Sequence, residues 1–365
     1  MKHLPLLILI AALGLAAAVV AQSPSPSVVL VTLDGARIEE LFGGLDAEIV
    51  RSQLTRGQRL EEQPIYKRFW APTPEERRAK LMPFFWGTLM RDLGSIAGNP
   101  ARGSRVHLTN AHAFSYPGYS EMLTGRAHDD TITSNSPIRN PYPTVLEFLK
   151  TQAGLSKERA AVFSSWSVAS AIVEHTEGAL TVNAGYQAFE SPDAETRRLS
   201  ALQFDTPTPW NTTRHDAYTF RFAMDHLARH KPRELYLLFE ETDDWAHDGR
   251  YDRVLEALAR TDEYLKQLWT WLQSQPEYRG RTHMLITTDH GRGRTPADWK
   301  NHGKDVTGAS ETWMAFVSPA MSRRGEWSGG APLVTAQVAA TLITWMGGDW
   351  KAFDPSAAPP VNAER

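Results

Sequence analysis

Val28-Val29-Leu30-Val31-Thr32-Leu33-Asp34-Gly35 sets an unbroken run of β-branched and leucine side chains in front of an acid and a glycine. A run of strand length without polar alternation is buried on both faces, as strands are in parallel sheets covered by helices on either side. Two further runs have the same form, Leu235 to Phe239 and Met284 to Thr287, and each is followed within a few residues by Asp243 or Asp289. In open α/β sheets that edge, beyond the carboxyl ends of the strands, is where ligands bind.

Apolar runs at Arg105 to Leu108 and Ala160 to Ser164 extend the set of candidate strands. Helical patterns lie between them. Asp252 to Leu272 is the clearest, with Val254, Leu258, Leu265, Leu268 and Leu272 recurring near helical spacing. Thr144 to Thr151 and Ala217 to Ala228 are shorter amphipathic stretches, and Leu333 to Met346 reads as a late helix stopped by Gly347 and Gly348. The alternation predicts an α/β fold: a mostly parallel central sheet with helices on both faces. Asp46 to Glu76 and Ser191 to Asn211 lack clear periodicity and read as loop or lid insertions.

Lys2 and His3, the apolar run from Leu4 to Val20 and the small residues near Ala21 read as a signal peptide over residues 1–21. A membrane anchor is the competing reading, but the run is short for a span and is interrupted by Pro5 and Gly14. Residues 27–350 then form one catalytic domain and 351–365 a tail, in a periplasmic or secreted protein without a stable membrane anchor. The chain holds no cysteine, which excludes disulfides, and its net charge of −3 offers no basic stripe for nucleic acid.

The chemistry begins with ligand type. Aspartate and histidine together suit zinc, and three protein ligands leave a position open for water or substrate. Asp34, Asp289 and His290 form one expected group, and Asp243, His247 and His302 the other. Two divalent cations bring four positive charges against the three carboxylates, so the centre attracts an anion. Paired metals roughly 3.5–4 Å apart suit in-line phosphoryl transfer. Ser115 supplies a hydroxyl; Pro117 places it at the start of a helix, where backbone donors and the macrodipole favour an anion.

The segments Val31-Thr32-Leu33-Asp34-Gly35, Ser115-Tyr116-Pro117 with Leu123-Thr124-Gly125, Asp243-Asp244-Trp245-Ala246-His247, Thr288-Asp289-His290-Gly291 and His302-Gly303 occur in one order. In that order the chain resembles the alkaline phosphatase superfamily, and within it the nucleotide pyrophosphatase/phosphodiesterase branch, from about Val28 to Gly348. The resemblance implies that Ser115 is the nucleophile and a metal ligand, and that Asn135 holds a phosphoryl oxygen, with Asn140 as a competitor. It also implies that Tyr116 can stack on a flat group of the substrate, with a core aromatic beside the turn as the alternative reading.

The cofactors expected are two divalent ions, zinc first and manganese second. The substrate is a small anionic phosphate ester, cleaved through a phosphoseryl intermediate. Phosphodiesterase or pyrophosphatase activity is favoured because Arg126 and Arg139 do not match the cationic positions that monoesterases of the superfamily add. A phosphomonoesterase is the alternative, and a metal-binding protein without turnover is the reading from a different class. A sulfatase is disfavoured because Tyr119 stands where that class carries arginine.

Overall fold

The structure is a computed structural model and describes residues 25–362. Eleven strands form in chain order: β1 (Ser27–Leu33), β2 (Gly94–Ala97), β3 (Val106–His107), β4 (Ala160–Ser164), β5 (Thr181–Ala184), β6 (Glu234–Phe239), β7 (Thr282–Thr287), β8 (Glu311–Thr312), β9 (Met314–Val317), β10 (Gly325–Glu326) and β11 (Leu333–Val334). Eight make the central sheet, in the order β10-β2-β9-β7-β1-β6-β4-β5. Only β9 runs against the rest, pairing antiparallel with β2 and β7.

The alternation of side chains along the central strands divides the interior. Val29, Val31 and Leu33 face one core together with Leu235, Leu237, Phe239, Met284 and Ile286. Val28 and Leu30 face the other, with Tyr236, Leu238 and Leu285. Helices cover both faces. Tyr251–Ser274 lays Val254, Leu258, Leu265 and Leu268 on the first core, and Asp216–His230 lies beside it. Ser115–Thr124, Val145–Gln152 and Gln337–Trp345 cover the second. Thr144 closes a capping box with Glu147, which fixes where the Val145–Gln152 helix starts.

Two expectations change. Arg105 to Leu108 yields only β3, which pairs with β8 and β11 in a separate three-stranded sheet. The late helix starts at Gln337, because Leu333 and Val334 are taken by β11. The stretch from Asp46 to Glu76 folds into short helices whose Ile49, Val50, Leu60 and Phe69 join the first core. Helices of six residues complete fewer than two turns, too few for a periodic signal. Ser191 to Asn211 contains the helix Ala194–Asp205. In the tail, Ala357 and Val361 are buried. The expected signal peptide lies outside the described residues, among which no helix is long and apolar enough to cross a membrane.

Candidate active site

β1 lies between β6 and β7, with Leu33 in register with Phe239 and Thr32 with Thr287. One or two residues past those pairs, all three chains leave the sheet on the same side. Asp34 follows β1 directly, and its N–H still donates to the Phe239 carbonyl at 2.9 Å. Thr288, Asp289 and His290 follow β7, while β6 leads through Glu240 into the helix Glu241–His247, which carries Asp243 and His247 one turn apart on one face. Gly35 takes φ 58°, and a side chain there would strike the Asp243 carboxylate and Arg292.

The side chains converge. His290 Nε2 lies 3.3 Å from Asp34 Oδ1, 3.4 Å from Asp289 Oδ2 and 3.7 Å from Asp243 Oδ1. His247 Nε2 is 3.1 Å from Asp243 Oδ2 and 3.0 Å from His302 Nε2. His302 Nε2 is 3.9 Å from Asp243 Oδ1. Ser115 Oγ sits 3.4 Å from His290 Nε2, at the first residue of its helix. The two expected ligand groups are therefore adjacent, with His290 at the wall between them. His247 is the exposed member, so the site opens to solvent on its side.

The donor set fits a pair of cations. Asp34 Oδ1 and Asp289 Oδ2 are buried and accept no hydrogen bond. The other oxygen of each carboxylate is held, Asp34 Oδ2 by the Tyr119 hydroxyl at 2.8 Å and Asp289 Oδ1 by the Gly35 N–H at 3.1 Å. His290 Nδ1 faces the Gly291 carbonyl at 2.9 Å. A carbonyl can only accept, so Nδ1 carries a proton, and Nε2 is the ring nitrogen that faces the carboxylates. Burial and then the charge of Asp243 raise Asp34 well above the ordinary carboxylate range; burial and then Asp34 do the same to Asp289. A divalent cation is the counter-charge that reverses both effects. Burial, with His290 beside it, pushes His302 down to about 2, so its imidazole is neutral, the form that could bind a cation.

Asp243 is treated differently. Burial opposes its ionisation, yet the Arg292 guanidinium, with His247, holds it well below the usual range. Arg292 is itself buried and binds both the Asp243 carboxylate and, at 3.0 Å, its backbone carbonyl. That guanidinium, the Tyr119 hydroxyl and Glu240 are parts of the centre that sequence reasoning missed. Glu240 brings a ligand atom within 4.8 Å of those of Asp34 and Asp243. Burial, then Asp34, raises its pKa well above the ordinary value.

The sequence profile of type I phosphodiesterases / nucleotide pyrophosphatases matches residues 59–340. The chain belongs to that family. Among solved structures, this phosphodiesterase-family chain is similar to the wild-type alkaline phosphatase PafA, at 11% identity and TM-score 0.59, covering 93% of this chain and 99% of that one. The phosphonate monoester hydrolase of Agrobacterium radiobacter gives 12% identity, TM-score 0.52 and coverage of 92% and 78%. The lipoteichoic acid synthase LtaP from Listeria monocytogenes gives 10%, 0.50, 89% and 72%. No curated protein matches the chain. These likenesses make the fold that of the alkaline phosphatase superfamily, and the family makes the protein a phosphoester hydrolase.

Within this phosphodiesterase-family site, Asn135 reaches the start of the Ser115 helix, where its Oδ1 accepts from the Tyr116 N–H at 2.9 Å. Asn140 is buried and tied to Ile172 O and Tyr142 N, which removes it as a competitor. Tyr116 takes the core alternative: it is 3% exposed, packs in the second core and donates its hydroxyl to Ile138 O at 2.7 Å. The helix turns about 100° per residue, and that rotation carries the residue after Ser115 into the interior. Arg126 pairs with Asp354 at 3.0 Å and Arg139 with Glu174 at 3.2 Å.

Proposed function

We propose that this protein is an exported two-metal phosphodiesterase or nucleotide pyrophosphatase that works through a phosphoseryl intermediate on Ser115. The observation that carries it is the convergence of Asp34, Asp289, His290, Asp243, His247 and His302 beside the Ser115 hydroxyl, 3.4 Å from His290. Asp34, Asp289 and His290, with Ser115, would hold one divalent cation, and Asp243, His247 and His302 the other; zinc suits this donor set, and manganese is the alternative. When bound, the pair supplies Lewis-acid stabilisation of the phosphoryl oxygens and a lowered pKa for the serine hydroxyl.

Ser115 Oγ gives up its proton to solvent water and attacks phosphorus. As the new O–P bond forms, the bond to the leaving oxygen breaks on the side of His247 and His302. The Asn135 side-chain N–H donors, its oxygen being held by the Tyr116 N–H, would stabilise the growing charge on the remaining phosphoryl oxygens. Water then attacks the phosphoserine: its hydroxyl joins phosphorus, the bond from phosphorus to Ser115 Oγ breaks, and the other proton restores the serine hydroxyl. The engagement of Arg126 with Asp354 and Arg139 with Glu174 supports a diester over a monoester, because neither guanidinium is free to meet an additional phosphate charge.

The test uses the full chain loaded with zinc. Rates on a mono- and a diester of the same nitrophenol are compared, and labelled phosphate is trapped by acid quench. Label on Ser115 and a faster diester are expected, with a loss of at least about a thousandfold in kcat for Ser115→Ala. A Ser115→Ala variant of full activity overturns the mechanism, and a faster monoester replaces the diesterase with a phosphatase.

A further inference from the structure

We propose that a cavity of about 520 Å³ between the 111–114 and 302–306 segments is the subsite for the leaving group, and that it selects flat apolar leaving groups over a pyrophosphate. The inference rests on the activity proposed above and deepens it.

Position is the first argument. In an in-line displacement the leaving group departs opposite the nucleophile. The Ser115 hydroxyl approaches His290, whose ring centroid lies 4.1 Å from that of His302. His302 in turn lines the cavity. The cavity therefore adjoins the His302 side of the centre, the side assigned above to the leaving oxygen.

Wall chemistry is the second argument. Phe114 and His112 present rings 5.6 Å apart, tilted by 53°, and Val306 lines the cavity while packing on Leu108, Ala113 and Ala309. The mouth carries Lys304 and Asp305, adjacent and opposite in charge, neither of them in an ion pair with another described residue. Their charges cancel, so the mouth offers no net attraction for an anionic leaving group. Shape and apolar contact are left to discriminate.

The cavity is also preformed. Ala113 adopts φ 50°, a left-handed backbone that an alanine keeps only when its surroundings over-determine it. Asn110 Oδ1 accepts from the N–H groups of His112 and Ala113 at 3.1 and 3.0 Å, and the Gly303 N–H donates to the Ala113 carbonyl at 2.9 Å. His112 Nε2 lies 3.0 Å from the Asp129 carbonyl. Both walls are thereby joined to each other and to the nucleophile segment.

The experiment measures kcat/KM for the zinc-loaded full chain on methyl 4-nitrophenyl phosphate, methyl trifluoroethyl phosphate and a nucleoside triphosphate. Wild type is expected to prefer the aryl ester. Phe114→Ala, and Phe114→Leu as the milder variant, should lower the aryl-to-alkyl ratio by at least about tenfold. Val306→Trp, which fills the cavity from the other wall, should penalise a naphthyl ester more than the nitrophenyl one. Retained hydrolysis with unchanged ratios in all three variants overturns the subsite alone, as does a wild type that prefers the triphosphate. A wild type inert on every ester overturns the proposed activity, and the subsite with it.

Discussion

Ser115 is placed from two sides, by the helix it starts and by the segment that precedes it. The Glu121 carboxylate, two turns along that helix, accepts from Thr109 N, Asn110 N and Asn110 Nδ2 at 2.8 to 3.0 Å, and from Ala336 N at 3.2 Å. Asn110 in turn holds Ala113 in its left-handed conformation. Asn110→Ala removes the acceptor and lets Ala113 relax; kcat should fall about ten- to a hundredfold while bound metal, read by elemental analysis, stays constant. Tyr119→Phe acts elsewhere. It deletes the hydrogen bond to Asp34 Oδ2, so metal titration should show affinity weaker by about tenfold or more. The convergence of Asp34, Asp243, Asp289 and His290 was legible from residue type and from their place beyond apolar runs, whereas His302 stands in a loop that no such run announces. Arg292 and Tyr119 were not legible, because each acts through a contact between segments far apart in the chain, and no spacing rule encodes such contacts; Glu240 directly follows the run ending at Phe239 and was passed over although the same rule marks it.

The helix Ser115–Thr124 approaches the β7 edge so closely that Gly118 touches the Asp289 backbone; a Cβ there would collide with the Asp289 carbonyl oxygen. Gly118→Ala must push the helix from the ligand loop. It should lower stability by about 2 kcal/mol, read by urea unfolding, and reduce metal retention at the same time. A variant as stable as wild type would contradict that contact. Strand legibility followed burial. β1, β4, β6 and β7 are buried on both faces and read as continuous apolar runs. β2 opens with Gly94-Ser95 and β5 carries Thr181 and Asn183, and each spans four residues, so neither rises above the surrounding loop pattern. Leu333 and Val334 continued the apolar periodicity of the helix behind them, which hid β11.

Two responses belong to the whole molecule. Chelation should abolish hydrolysis and lower the thermal midpoint, and adding zinc back should restore both, because an ion that binds only the folded chain stabilises it by mass action. Acid should weaken the fold independently. Burial pushes His283 down to about 4 from 6.5, and the side chain sits against Ser318 and Trp345. Above pH 6.5 both folded and unfolded chains hold it neutral; between 6.5 and 4 only the unfolded chain gains the proton. Stability should therefore fall as pH falls through that window, by up to about 3 kcal/mol from this residue. Urea midpoints at pH 7 and 5 check the sign, and His283→Gln should reduce the difference without abolishing it, because burial holds His128 and His226 down to about 4 as well.

β1 is the first strand made and the middle one of its trio, so both its edges stay bare until Glu234–Phe239 and Thr282–Thr287 have been synthesised. A ribosome-bound or prematurely ended chain short of His302 carries scattered acids and imidazoles but no assembled centre. A chain that stops before Thr282 leaves one edge of β1 as an unpaired apolar ribbon, which protein quality control can recognise.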